Sequence, residues 1–391
     1  MYLEDLKLPF LTTEHQLLRQ SIRDFAKKEL IDGALERDEK NDINETVRLF
    51  KKLNQLDVLG IRIPEKYGGA GADMYSELIL MEELGYADAS VALTTLIHTG
   101  AAAAVIYEMA PEELKQKYLP KVATGEKILA FAMTESDVPG SWSSYMQTSA
   151  RLDGDHYVLN GTKVFITNAT IADLFVVFAR TNPEEKGHKG IGIFLVEKDF
   201  PGISTAEEPS FGDGAGSWGS VFFDNCRVPK ENLIKDGPTA FAEAMRLFNY
   251  ERMENPSICN GIAQRALDET ISFLSQRKEP KKGLPFTKAY QHVQFKLAEM
   301  YARIRASRLM VWHACFLAEN GHPFVKEVSS AKFFANETVR WVCEQALQLH
   351  GGYGFSKSFI VQKLLRDGFF GGIAGGTLEA LKDRTARELL K

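Results

Sequence analysis

The chain is expected to fold as an α+β multidomain protein in three successive parts: a helical domain over residues 1–125, a small β-barrel or sheet domain over 126–232, and a second helical domain over 233–391. Two observations carry this expectation. Apolar residues recur at helical spacing in the first part and again after Pro229, and between them the pattern changes to short β runs separated by Gly, Pro, Asn and Asp. The length agrees, since 391 residues with 45% hydrophobic content can bury a large core and by size alone make two or three domains.

The N-terminal Met1-Tyr2-Leu3-Glu4-Asp5 is acidic, with no basic stretch leading into an apolar run, so no signal or transit peptide is expected and the protein is placed in the cytoplasm. Helix begins at Thr13, where Thr13-Glu14-His15-Gln16 has the form of a capping box and Leu18, Ile22, Phe25 and Ala26 share one face. The run 90–110 is apolar enough to suggest a membrane span. Its His98, its threonines and four consecutive alanines suit a helix packed inside a protein better, and no membrane insertion is expected.

In the middle part, 156–159 and 163–166 flank Asn160-Gly161, the strongest short hairpin signal, and further strands are expected at 174–179, 191–196 and 220–223. The last part returns to long helices such as 293–317, where Phe295, Leu297, Met300, Ile304 and Met310 recur near helical spacing. No internal repeat or low-complexity tract interrupts the chain. A net charge of -5 gives no basic field for nucleic acid or for an anionic membrane surface. Cys226, Cys259, Cys315 and Cys343 show no C-x-x-C or metal-ligand spacing, so they are expected as buried thiols, with no metal site.

Near the C-terminus stand Gln348-Leu349-His350-Gly351-Gly352-Tyr353-Gly354-Phe355, Arg366-Asp367 and Ile373-Ala374-Gly375-Gly376-Thr377. With Ile63-Pro64-Glu65-Lys66-Tyr67-Gly68-Gly69, Asn160-Gly161-Thr162-Lys163, Phe165-Ile166-Thr167-Asn168 and Phe223-Asp224-Asn225-Cys226-Arg227-Val228-Pro229, they make the chain resemble the acyl-CoA dehydrogenase family over nearly its whole length. Each motif alone is weak; their number and order carry the resemblance. It implies a helical domain, a small β domain and a C-terminal four-helix bundle, an FAD cofactor, an acyl-CoA substrate, an electron-transfer flavoprotein as oxidant, and a homotetramer built as a dimer of dimers.

The chemistry of α,β-dehydrogenation needs a carboxylate for the α-proton, hydrogen-bond donors on the thioester carbonyl and a flavin for the β-hydride. In the resembled family the usual base is the glutamate of Ile-Tyr-Glu-Gly-Thr, and this chain has Gly375 there. Some branches, similar to isovaleryl-CoA and long-chain acyl-CoA dehydrogenases, carry the base early in the last domain, just before an arginine. Phe248-Asn249-Tyr250-Glu251-Arg252 matches that segment, so the resemblance implies Glu251 as base, with Asn249 and Arg252 beside the substrate. Read without the family, a Glu-Arg pair near a helix start is a solvated surface feature. Gly375 retains the backbone N–H that, with a flavin ribityl hydroxyl, holds the carbonyl in the family. Its missing side chain also suggests a pocket widened for a branched or cyclic acyl group.

The resemblance further implies Phe131, Met133 and Thr134 beside the isoalloxazine, Phe165 and Thr167 on its other face and edge, and Ser141 as the flavin-contacting serine of a loop one residue longer than usual. Arg277 is matched to an arginine reaching a neighbouring subunit's FAD pyrophosphate; Gln348 and Gly352 border that same dinucleotide, and Thr377 and Glu379 lie near the adenosine half of their own. After Arg277 the usual Gln-Phe-Gly is replaced by Lys278-Glu279-Pro280-Lys281-Lys282-Gly283, and the aromatic expected near the adenine is lost. Ordinary strand core or turn residues account for Phe131, Phe165 and Gly352 without the family, and a solvated loop for the lysines. Two other readings stay open: the same chemistry on a carrier-protein-bound acyl or aminoacyl group, and a non-catalytic flavin-binding paralogue.

Overall fold

The computed structural model of the chain describes residues 8–138 and 144–391. Its first helix, α1 (Thr13–Glu29), is capped one residue earlier than the sequence suggests. The Thr12 hydroxyl accepts the His15 N–H at 3.4 Å, and His15 Nδ1 accepts the Thr12 N–H at 3.0 Å. A ring nitrogen thus does what Glu or Gln does in the usual box. Then follow α2 (Ala34–Lys40), α3 (Ile43–Lys52), α4 (Met74–Ala87), α5 (Ala89–Ile97), α6 (Ala103–Met109) and α7 (Glu112–Ala123).

The apolar run Ala89–Met109 has the length and composition of a membrane span but lies inside the protein, with 94% of its most apolar window buried. A π-helical turn, His98–Ala102, joins α5 to α6 around Gly100, whose ψ of -121° is not helical. His98 is fully buried, gives Nε2–H to the Val122 carbonyl at 2.9 Å and takes the Leu129 N–H on Nδ1 at 3.3 Å. Burial lowers its pKa to about 4, so the ring is neutral and ties the helical layer to the sheet.

The sheet comprises β1 (Leu129–Ala132), β2 (Ser149–Asp153), β3 (His156–Thr167), β4 (Leu174–Arg180), β5 (Ile191–Glu197), β6 (Ile203–Glu207), β7 (Trp218–Pro229) and β8 (Leu233–Lys235). Its order is β6-β7-β3-β2-β4-β5-β8, with β1 parallel to β4. The hairpin expected at Asn160-Gly161 is not there. Strand β3 runs unbroken through it, and the tight turn falls at Gly154-Asp155, with Asp153 paired to His156. Gly161 instead marks a bulge against β7, at φ +147°, where a Cβ would come within 2.6 Å of Thr148 Oγ1. Both dipeptides are turn-competent; pairing with the long β7 selects the other one.

After the sheet come α8 (Ala240–Gln276), α9 (Phe286–Ala289), α10 (Gln291–Glu319), α11 (Val325–His350), α12 (Ile360–Asp367) and α13 (Leu378–Leu389). Helix α8 is the axis of the molecule, packed against α4 on one side and α10 and α11 on the other. One apolar core runs through these helices. Buried ion pairs, Arg23 with Glu83 at 2.9 Å and Arg308 with Glu82 at 2.6 Å, fasten α1 and α10 to α4. On α10, Met300 and Ile304 are buried as the periodicity predicts, but Phe295 is 65% exposed. It begins an outward apolar stripe of Phe295, Ala298, Ala302, Leu309 and Phe316. All four cysteines are buried free thiols.

Candidate active site

Glu251 lies in the fourth turn of α8, 3% exposed, on the wall of a cavity of about 560 Å³. Its Oε2 has no hydrogen-bond partner. Burial raises its pKa above the usual carboxylate range, and the charges of Lys332 and Arg252 oppose the rise. The solvated Glu-Arg pair is therefore not what forms: helix α8 is buried on nearly all sides here, and it carries the carboxylate inward.

Gly375 meets this carboxylate. It adopts φ +66° in the loop before α13, and a Cβ built on it would stand 2.5 Å from Glu251 Oε2 and 2.6 Å from Oε1. The Glu251 carboxylate thus fills the place into which a side chain at 375 would project. The room expected from the missing side chain is not added to the cavity, because Glu251 occupies it.

The loop is held from beneath by Lys332 on α11, which is fully buried. Its ammonium donates to the Ala374 carbonyl and, at 3.3 Å, to that of Gly376. Burial lowers its pKa to about 8, and the Glu251 charge resists the shift. Sequence reading missed Lys332, although a lysine among Val328, Ala331 and Ala335 on an otherwise apolar helix face was a legible signal. Asn336 Nδ2 donates to the Gly371 carbonyl at 2.6 Å, tightening the same loop. Arg252 donates to Asn249 Oδ1 at 2.7 Å, and Asn249 lines the cavity, so both expected substrate neighbours accompany Glu251.

Phe248, one turn before Glu251, tilts against Phe131 at 5.4 Å and so joins the helical wall to the sheet edge. Met133 and Thr134 are half-buried just beyond, and the Thr134 carbonyl accepts the Val164 N–H at 2.9 Å. Glu135 anchors this stretch by accepting from Lys163 Nζ at 2.7 Å and from the backbone N–H groups of Gln147 and Thr148. Ser141 lies outside the described residues.

Phe165 has φ +60°, a strained value for a bulky side chain, and is 57% exposed. It stacks on Trp218 with centroids 5.2 Å apart and 18° between planes, and Thr167 pairs with Trp218 across the ladder. Trp218 was also missed; only the register of β7 against β3 reveals it.

The remaining expected residues lie elsewhere. Arg277 follows Glu251 by 26 residues along α8, about 39 Å at 1.5 Å per residue. Its guanidinium sits 5.3 Å from the rings of Phe273 and Phe286 and 5.5 Å from that of Tyr353, so an aromatic still stands beside it, supplied by Phe286. Gln348 lines a second cavity of about 460 Å³ near Phe286 and Tyr290, and Gly352 is exposed close by. Lys278, Lys281 and Lys282 are solvated. Thr377 caps α13 by accepting the Ala380 N–H at 3.3 Å, with Glu379 exposed in its first turn.

The two groups of residues, apart in one chain, have the chemistry of the two ends of a flavin dinucleotide. Exposed Phe165, at a strained φ and stacked on half-buried Trp218, offers a face to a planar ring, and an exposed arginine held among rings offers a fork to a pyrophosphate. In the cavity beyond the Phe248–Phe131 contact, Glu251 offers a desolvated carboxylate, a group able to accept a proton. Fold and site together define an oxidoreductase of the flavin-dependent class.

Three models of the acyl-CoA dehydrogenase family match the chain: the N-terminal domain over residues 12–126, the middle domain over 130–226 and the C-terminal domain over 241–390. The chain belongs to the acyl-CoA dehydrogenase family, FAD-dependent enzymes that dehydrogenate acyl-CoA thioesters. It is 37% identical to a short-chain-specific acyl-CoA dehydrogenase of Clostridium acetobutylicum, over 95% of this chain and 97% of the relative. Butyryl-CoA dehydrogenase from Megasphaera elsdenii superposes with a TM-score of 0.92 at 33% identity, covering 97% of this chain and 99% of the other. A chain in a structure of the electron-transferring flavoprotein of Acidaminococcus fermentans superposes at 0.93 with 34% identity, covering 98% and 100%.

Proposed function

We propose that Glu251 is the base that removes the α-proton of a short acyl-CoA. The observation that carries this is the Glu251 carboxylate standing where a side chain at Gly375 would point. Bound FAD supplies the acceptor for the β-hydride. Glu251 reaches the α-carbon from the cavity wall, and desolvation makes its carboxylate a stronger base than one in water. The Gly375 N–H is oriented by the two carbonyls that Lys332 grips on either side, and it donates to the thioester oxygen as negative charge builds there. Phe131, Met133, Thr134, Phe165 and Thr167 border the ring, with Trp218 supporting Phe165.

Anaerobic mixing of the FAD-loaded protein with straight, branched and cyclic saturated acyl-CoAs tests the reading. Oxidised-flavin absorbance is expected to fall with short acyl chains; an unchanged spectrum with every thioester would end it.

Lys332→Met is expected to move the acid limb of the pH–rate profile upward. Loss of a nearby positive charge raises the Glu251 pKa further, and the base works only when ionised. An unmoved limb would show that Lys332 does not act on Glu251.

Arg277 stands about 39 Å along α8 from Glu251, with Phe286 and Tyr353 beside it and Gln348 near Phe286, so Arg277, Gln348 and Gly352 serve the FAD of a neighbouring copy. The exposed apolar stripe on α10 is the face such an assembly would cover, and a dimer of dimers is the proposed form. Sedimentation of a flavin-loaded monomer at micromolar concentration would exclude it. The proposed oxidant of the reduced flavin is an electron-transfer flavoprotein, a reading supported by the likeness to a chain from the Acidaminococcus fermentans flavoprotein structure.

A further inference from the structure

The cavity that holds Glu251 is rimmed by exposed residues, among them Glu108 and His322, and its buried wall carries two more carboxyl groups. Glu254 stands one helical turn beyond Glu251 on α8, and Glu77 faces it from α4; each is 2% exposed. The two carboxyls hydrogen-bond to each other, and Arg62 approaches Glu77 at 3.9 Å. Burial raises both; Arg62 draws Glu77 back down, while the charges of Glu77 and Glu251 push Glu254 further up. Glu77 also takes a hydrogen bond from Thr99, and beyond these contacts Glu77 Oε1 and Glu254 Oε2 are buried with no further partner.

The surrounding backbone makes room for this pair. A Cβ at Gly100 would come within 2.2 Å of Glu254 Oε2, and Gly100 sits at the π-helical break between α5 and α6. A plain hydrocarbon chain lying along this wall would leave the remaining acceptor capacity of the pair unmet. A chain that brings a donor would satisfy them.

Resting on the acyl-CoA reading, we propose that Glu77 and Glu254 select an acyl group that carries a hydrogen-bond donor, a hydroxyl or an amine, beyond its β-carbon. Residues at i and i+3 on a helix are ~5–6 Å apart at Cβ. The donor therefore lies roughly three to four bonds from the α-carbon that Glu251 deprotonates. The pair recognises the substrate and takes no part in proton or hydride transfer.

The test compares anaerobic flavin reduction by butyryl-CoA, 4-hydroxybutyryl-CoA, 4-aminobutyryl-CoA and 5-hydroxypentanoyl-CoA. It adds calorimetric binding of the unreactive butyl and 4-hydroxybutyl thioethers of CoA. At least one donor-bearing substrate is expected to exceed butyryl-CoA by about 10- to 100-fold in kcat/KM, the effect of leaving one buried polar group unpaired. The hydroxyl and amine arms identify the donor. In the Glu77→Gln/Glu254→Met variant, checked for flavin content and Tm, that ratio is expected to collapse while butyryl-CoA is still oxidised. Preference for butyryl-CoA in the wild type, or an unchanged ratio in a folded variant, overturns the inference and leaves Glu251 chemistry standing. Flavin that no acyl-CoA reduces removes the acyl-CoA reading itself, and this inference with it.

Discussion

Glu251→Gln is expected to lower acyl-CoA-dependent flavin reduction by about 10²- to 10⁴-fold, the usual share of a positioned general base, while FAD remains bound. The substitution keeps the shape and removes the charge, so the loss reads the proton transfer itself. Its pH dependence follows from burial. The carboxylate must be ionised to act, and its pKa is raised, so wild-type activity falls on acidification with a midpoint above the ~4.3 of a free glutamate.

Stability moves the other way. For an acid whose folded pKa is raised, the stabilising contribution is present below the unfolded pKa and is lost as pH rises through the folded value. Gln removes that loss, so the melting temperature of the variant relative to wild type should climb with pH across that window. Retention of full reduction rates by Glu251→Gln would place the base elsewhere.

Gly375→Ala is expected to cost activity second only to Glu251→Gln, about 10²-fold in kcat/KM, the effect of misplacing a reacting group by about 1 Å. Two physical causes combine. The residue sits at φ +66°, where an L side chain costs about 1–2 kcal/mol, and the new methyl would have to share space with the Glu251 carboxylate at 2.5 Å. Because the two positions compete for one volume, they should also exchange. The double variant Glu251→Gly/Gly375→Glu returns a carboxylate to the same space from the loop, and it should exceed Glu251→Gly alone in flavin reduction. A double variant no better than that single one, with normal FAD content, would refute the shared volume.

Much of the fold was readable because its signals are local. Helical periodicity and the β-rich middle stretch follow from residue spacing, and the buried face of α1 is where Ile22, Phe25 and Ala26 place it. Signals that depend on partners misled. Asn160-Gly161 has turn chemistry, yet long-range pairing with β7 makes it a bulge, and Phe295 fits the apolar period of α10 but faces outward. The capping box slipped by one because a histidine ring stands in for the carboxamide or carboxylate.

By itself the sequence determined that position 375 carries no acid, that an acid stands at 251, and that the segments around both resemble one family. Only the tertiary structure decided that these two facts describe one place. Contact between residues 124 positions apart depends on how α8 packs beneath the loop before α13, and on a buried lysine from α11 that holds the loop there. The two further carboxyls of the cavity are separated by 177 positions in the chain, and they too become a pair only through the packing of α4 against α8. Chain spacing encodes local geometry; the desolvation and proximity that make carboxyl groups chemically distinct arise only when distant elements close around them.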